Sequence, residues 1–343
     1  MYDTAIYIGR FQPVHAGHLA LLRRALECAP QVIVVLGSAW QARSPRNPFT
    51  VPEREGLLRA ALPEADQARV QMLPVRDHYD EARWAQAVQS AVERLVGSAG
   101  RIGLVGHFKD ASSSYLDAFP GWELVHMARQ GDTDASSIRA AYFGAVDAPA
   151  RAAHAAGQMP PSSVQFLEAF AAGPYYPVLQ AEWRALQAHH AAWASAPYPP
   201  TFITVDALVR AQGQVLLIRR GRAPGQGLLA LPGGFIGVHE TLLQSCLREL
   251  AEETQCPLPP ERLAAALREV RVFAHPARSQ RGRVVTHVHC FDLPGEPFAV
   301  QAADDAAHAL WVGVDELAAL EAEFFDDHFH ILDRFLGLLD RPQ

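Results

Sequence analysis

The chain has 343 residues, of which 49% are hydrophobic and 20% charged, and its formal net charge is −7. That length favours two domains with a core each, and the acidic balance argues against a general nucleic-acid binder while leaving room for a locally positive site for small anions. Cys28, Cys246, Cys256 and Cys290 show no C-x-x-C spacing and no disulfide framework, the opening MYDTAIYIGR lacks the pattern of a leader, and no apolar run reaches membrane-spanning length. A cytoplasmic protein that binds neither membrane nor nucleic acid is expected.

Residues 4–8 (TAIYI) read as a short buried strand, followed by a Gly/Pro turn and a helical pattern from Ala16 to Cys28. A second β-branched run covers 31–37. Helix signals recur at 52–62 and 81–96, and strand-like runs at 69–75, 101–107 and 122–127. This alternation predicts an α/β domain with a parallel sheet and helices on both faces. Its ligand crevice is expected beyond the carboxyl ends of the strands, beside residues 9–15. Residues 162–194 look helical, and the prolines of SAPYPPT at 195–201 stop that pattern. The expected organisation is a first domain over 1–185, a linker over 186–201 and a second domain over 202–343. In the second domain, strands at 202–209 and 214–219 flank a turn at Gln212–Gly213. A helix spans 240–254, strands follow at 266–273, 284–292 and 309–314, and a last helix begins near His328. That order is α+β.

Two stretches carry chemistry. GRFQPVHAGH, residues 9–18, links the first strand to the first helix. A helix N-terminus offers unpaired N–H groups to phosphate, glycine lets a ligand approach the backbone, and His15 and His18 share a face if the helix begins near His15. In the second stretch Gly234, Glu240, Arg248, Glu249, Glu252 and Glu253 stand at fixed intervals after LPGG. Glu249, Glu252 and Glu253 occupy i, i+3 and i+4, so three carboxylates lie on one helical face. Such crowding is relieved by a hard divalent cation, Mg²⁺ or Mn²⁺, which also suits a diphosphate substrate.

The first stretch resembles the H-x-G-H nucleotidyltransferase superfamily and, more narrowly, the archaeal-type nicotinamide mononucleotide adenylyltransferases. ARSPRNPFTVPERE (42–55), VGHFKDASSSY (105–115) and DASSIRAAYF (134–143) are similar to further segments of that branch. The resemblance implies a Rossmann-like domain that joins ATP to a mononucleotide. In it His15, His18 and Arg139 contact ATP phosphates, and Gly9, Arg10, Phe11, Gly17, Ser136 and Ser137 line the nucleotide site, with Ser136 opening a helix. Arg43 and Arg46 lie in a basic loop and are either phosphate ligands or solvated charges. Trp84 is either a stacking partner for nicotinamide or a core residue, and Lys109 and Asp110 are weaker candidates.

The second stretch resembles the Nudix hydrolases at every spacing, with one departure: Gln255 stands where the pattern has glycine. The resemblance implies that Glu249, Glu252 and Glu253 hold the metal, Glu253 acts in catalysis, Arg248 orients a neighbouring glutamate and Glu240 supports the loop–helix geometry. RSQRGRVVTH (278–287) is basic and either faces a substrate phosphate or is a solvated loop. In order, both halves are similar to the bifunctional nicotinamide mononucleotide adenylyltransferase–Nudix proteins. That likeness implies NAD⁺ synthesis from ATP and nicotinamide mononucleotide, and hydrolysis of ADP-ribose. Two alternatives stay open: a Nudix half that senses a ligand rather than cleaving it, and another acceptor or nucleoside diphosphate derivative. A homo-oligomer is compatible with the sequence.

Overall fold

The computed structural model describes residues 1–97, 100–106, 118–128, 134–147, 151 and 157–340. The chain divides into two compact units, Met1–Gln180 and Ala181–Gln343. The division falls inside a continuous helix, Tyr175–Ala192. The stretch expected as a linker from residue 186 is therefore helical as far as Ala192, because its Ala, Gln and Leu residues favour helix and the first proline comes only at Pro197.

In the first unit, β1 (Thr4–Gly9), β2 (Gln31–Leu36), β3 (Val70–Pro74), β4 (Ile102–Gly106) and β5 (Glu123–His126) form one sheet in the order β3-β2-β1-β4-β5. Every neighbouring pair is parallel. Such a sheet is covered on both faces. Along β1, Ala5 and Tyr7 face a core shared with Leu22 and Leu26 of α1 (Ala16–Cys28) and Leu57 and Leu58 of α2 (Val51–Ala60). Ile6 and Ile8 face the opposite core, with Val88 and Val92 of a helix over Glu81–Val96. Chain order reverses at β1, whose neighbours are β2 and β4, so the crevice opens where β1 runs into residues 9–15.

In the second unit a mixed sheet runs β10-β11-β6-β7-β12, with β8 (Leu229–Ala230) on β7 and β9 (Gly233–Phe235) on β6. Here β6 is Thr201–Ala211, β7 Gln214–Arg220, β10 Leu267–Phe273, β11 Arg283–Leu293 and β12 Ala306–Gly313. β6 and β11 are parallel, and the β10–β11, β7–β12 and β6–β7 pairs are antiparallel. The helix Leu242–Thr254 buries Cys246 and Leu250 against Val205, Ala207 and Phe291. The helix His328–Leu336 buries Phe329, Ile331 and Leu332 in a second core with Leu217 and Val288. A carboxylate from the helix Tyr175–Ala192 joins this unit: Glu182 accepts from the amides of Gly225 (2.6 Å) and Gln226 (3.1 Å).

Candidate functional sites

The loop after β1 is built around its two histidines. His15 is the N-cap of α1, and its Nδ1 accepts from the amide of Gly17 at 3.1 Å, while His18 Nδ1 lies 3.3 Å from the amide of His15 and accepts from it. The imidazoles thus take the part that a serine and a glutamate play in a capping box. Their centroids are 3.7 Å apart. An Nδ1 that accepts carries no proton, so each neutral ring holds its proton on Nε2, as a donor suited to phosphate oxygens. Gly17 suits this arrangement, because a Cβ there would stand 3.0 Å from the His15 ring and press on it. Phe11, expected at the nucleotide site, is fully buried; its ring packs on His18 with centroids 4.8 Å apart, so it braces the histidine from below.

Arg139 comes from α5 (Ala135–Gly144), whose N-cap is Asp134, accepting from the amides of Ser136 and Ser137. The cap is therefore two residues earlier than Ser136, since a carboxylate at 134 reaches both amides. Ser136 Oγ instead accepts from Arg139 at 3.2 Å, and Ser137 Oγ donates to Asp134 at 2.8 Å. Arg139 also donates to the carbonyl of Gln12 at 2.7 Å, tying α5 to the first loop. Burial first, then the nearby Arg10 and Arg46 cations, push the Arg139 guanidinium down to about 9. It stays charged at neutral pH, and three cations close enough for Arg139 to feel the other two suit a polyanion.

The basic loop divides its work. Arg43 is held bidentately by Glu53 (2.7 and 2.9 Å), donates to the Pro48 carbonyl and lies over the Tyr175 ring at 4.2 Å. It is a brace of the loop; Arg46 is the member that approaches Arg139. Trp84 packs edge-on against Phe119 within the core on its face of the sheet. Lys109 and Asp110 lie outside the described residues.

Two further residues, inside the quoted segments but not singled out there, hold this crevice. Gln12 exchanges hydrogen bonds with the backbone of Phe49, at 2.8 and 2.9 Å, and so zips the first loop to the basic loop. Arg54, 1% exposed, donates to the carbonyls of Arg10 (2.9 Å), Gly37 (2.7 Å) and Ser38 (3.3 Å). It fastens the ends of β1 and β2 together. Burial pushes its guanidinium down to about 10, still charged at neutral pH. The signal for both residues lies in tertiary pairing and not in local spacing.

In the second unit the glutamates project from Leu242–Thr254 as the spacing predicts. Arg248 binds Glu240 through Nε (2.9 and 3.1 Å), and Glu249 (2.9 Å) and Glu252 (2.8 Å) through one terminal nitrogen. It also donates to the carbonyl of Phe235. One guanidinium thus sets the rotamers of three carboxylates and ties the helix to the preceding loop. Glu240 also accepts from Ser245 at 2.7 Å, which fixes the loop. Glu253 is nearly buried and accepts from the Gly233 amide at 2.8 Å. Burial first, with the Glu249 charge adding, pushes its carboxyl up to about 8, and burial also raises Glu249. A Cβ on Gly234 would stand 2.6 Å from the Glu249 carboxylate, so glycine there makes room for it. Among the described residues no three acidic, His or Cys side chains already converge on one point, since Arg248 holds Glu249 and Glu252. The donor set nonetheless fits a hard divalent cation: two crowded, half-desolvated carboxylates gain most from its charge.

Gln255 caps this helix in the left-handed region, with φ 48° and ψ 42°. The conformation that the family pattern assigns to glycine is therefore kept, at a cost of roughly 1 kcal/mol for a residue with a Cβ. Gln255→Gly is expected to raise the melting temperature of this unit by about 2–4 °C without changing hydrolysis. An unchanged or lowered midpoint in thermal unfolding would contradict the strain.

Comparisons with known proteins match both halves of the chain. A cytidylyltransferase-like family model matches residues 6–81, and a NUDIX domain model matches 199–335. The nicotinamide/nicotinic acid mononucleotide adenylyltransferase of Acinetobacter baylyi is 36% identical over 186 residues, which are 54% of this chain and 95% of that protein. A nicotinamide-nucleotide adenylyltransferase of Thermococcus onnurineus is 40% identical over 96 residues, 28% of this chain and 51% of that one. The crystal structure of a bifunctional NMN adenylyltransferase/ADP ribose pyrophosphatase from Francisella tularensis, complexed with AMP and a manganese ion, is 32% identical. It superposes with a TM-score of 0.90 and covers 98% of this chain and 99% of its own. With a nucleotidyltransferase-like parallel-sheet unit followed by a Nudix unit, the chain belongs to the bifunctional NMN adenylyltransferase/ADP-ribose pyrophosphatase family.

Proposed function

We propose that the first unit condenses ATP with nicotinamide mononucleotide to NAD⁺ and diphosphate, and that the second hydrolyses ADP-ribose to AMP and ribose 5-phosphate. The observation that carries the reading is the likeness to one bifunctional structure over 98% of the chain. In the first reaction the 5′-phosphate of the mononucleotide attacks the α-phosphorus of ATP in line and pyrophosphate leaves. No covalent enzyme intermediate is needed. His15 and His18 donate through Nε2, and Arg139, Arg10 and Arg46 hold the polyphosphate as charge builds on the leaving group. Mg²⁺ supplies further charge neutralisation when it enters with ATP. In the second reaction Glu249, Glu252 and Glu253 would hold Mg²⁺ or Mn²⁺, which polarises the diphosphate and activates water. Arg248 and Glu240 keep the three carboxylates in place, and Glu253 moves the proton of the attacking water.

Cys28, Cys246, Cys256 and Cys290 are free thiols, which supports a cytoplasmic setting, and no helix among the described residues is long and apolar enough to cross a membrane. The test is product analysis of the whole chain with Mg²⁺. ATP plus nicotinamide mononucleotide should yield NAD⁺, and ADP-ribose should yield AMP. NAD⁺ without hydrolysis of any diphosphate would move the second unit to a sensing role, and hydrolysis without NAD⁺ would reopen the identity of the acceptor.

A further inference from the structure

The basic stretch at 278–287 sorts into three arginines with different fates. Arg278 is spent on a buried bidentate pair with Asp327, at 2.9 Å on both branches. Arg283 donates to the carbonyl of Ala274. Among the described residues the Arg281 guanidinium has neither kind of partner. Its guanidinium carbon lies 5.4 Å from the ring centre of Phe235 and 5.8 Å from that of Phe325. Its Nε is buried and has no hydrogen-bond partner among the described residues. A second guanidinium, that of Arg220 at the end of β7, lies over the same Phe325 ring at 4.4 Å, held by a hydrogen bond from Nε to the Pro224 carbonyl.

This paired array borders the glutamate helix. Phe235 follows Gly233 and Gly234 directly; the Gly233 amide holds Glu253, and the Phe235 carbonyl accepts from Arg248. Phe235 is 43% exposed, so one edge of the array faces solvent. Burial lowers the Arg281 guanidinium, Asp326 and Asp206 oppose that, and the neighbouring Arg220 and Arg278 cations deepen it. Two guanidiniums on one aromatic ring repel each other, one has a buried N–H unused, and an anion placed between them would relieve both costs. Aromatic faces suit the planar guanidinium, and its fork suits the paired oxygens of phosphate.

We propose that Arg220 and Arg281, lying against Phe325 and Phe235, bind a phosphate of the nucleoside diphosphate substrate beside the carboxylate helix. The proposal rests on the Nudix reading of the second unit and adds two residues outside the glutamate motif. The diphosphate would then be held between cations on one side and the carboxylate-bound metal on the other. Arg220 and Arg281 are binding residues, so their loss should be read mainly in affinity.

The experiment compares the whole chain with Arg281→Gln, Arg281→Lys and Arg220→Gln, using ADP-ribose as substrate, AMP as product inhibitor and adenylyl transfer as the control of folding. Arg281→Gln should raise KM for ADP-ribose and the inhibition constant for AMP by about tenfold or more, with adenylyl transfer within about twofold. Arg281→Lys should recover part of the loss, because it restores charge without the fork. Arg220→Gln should act in the same direction. Unchanged KM and AMP inhibition, or a fall in kcat and thermal midpoint at constant KM, would overturn the assignment in favour of a packing role. If the wild-type chain hydrolysed nothing, the enzymatic reading would fail by itself. Calorimetry with ADP-ribose would then decide this one, with a Kd weakened about tenfold in Arg281→Gln supporting it and an equal Kd overturning it.

Discussion

Glu253→Gln should lower ADP-ribose hydrolysis by about 10³-fold while adenylyl transfer stays within about twofold. The substitution keeps shape and keeps an oxygen for the Gly233 amide, 2.8 Å away in the native chain. It removes the one carboxylate of the three that is almost buried and lies beside Glu249. Because burial already disfavours the Glu253 charge, a neutral isostere should not destabilise the unit. The informative result is the combination of a large loss of hydrolysis with an unchanged or slightly raised melting temperature. Hydrolysis retained above about a tenth of native would remove Glu253 from the chemistry.

Arg139→Met should lower kcat/KM for ATP in adenylyl transfer by about 10²- to 10³-fold and leave hydrolysis intact. Methionine fills much of the same volume but cannot donate to the Gln12 carbonyl or to Ser136. Two losses add: the polyphosphate loses the most buried cation of the Arg10, Arg46 and Arg139 group, and the first loop loses its tie to α5. A stability cost of about 1–2 kcal/mol accompanies the second. Arg139→Lys should recover part of the rate, since it restores charge but not the two-branched geometry. Transfer within about threefold of native in the Met variant, measured with saturating nicotinamide mononucleotide, would count against a role at the phosphates.

The elements that were legible in the sequence are those whose geometry is local. His15 and His18 follow from three-residue spacing at a helix start, and Glu249, Glu252 and Glu253 follow from the helical repeat. The alternation of β-branched runs and amphipathic helices predicts the parallel sheet, and the turn at Gln212–Gly213 predicts the β6–β7 hairpin. What spacing conceals is the partner of each charged group. Arg43, Arg46 and Arg54 look alike along the chain. One is paired to Glu53, one approaches Arg139, and one is buried beneath three carbonyls of distant loops. Arg278 and Arg281 differ in the same way, since only the fold brings Asp327 to the first and two phenylalanines to the second. Gln12 and Glu182 are more remote still, because each serves backbone amides or carbonyls more than thirty residues away. Local signals encode the reactive groups; the groups that hold them still are written in contacts of long sequence separation.

The position of Glu182 bears on how the second half can be handled alone. A fragment cut at residue 199, where the family pattern begins, would discard this carboxylate along with the whole of its helix. The amides of Gly225 and Gln226 would then have to find water, in a loop whose Gly225 lies against Phe325, the ring shared by Arg220 and Arg281. The autonomous piece is therefore longer than the recognisable one. A boundary drawn at Ala181 or earlier keeps the aromatic and cationic array supported from behind, whereas one drawn at the motif's own edge would expose it as an artefact of the cut.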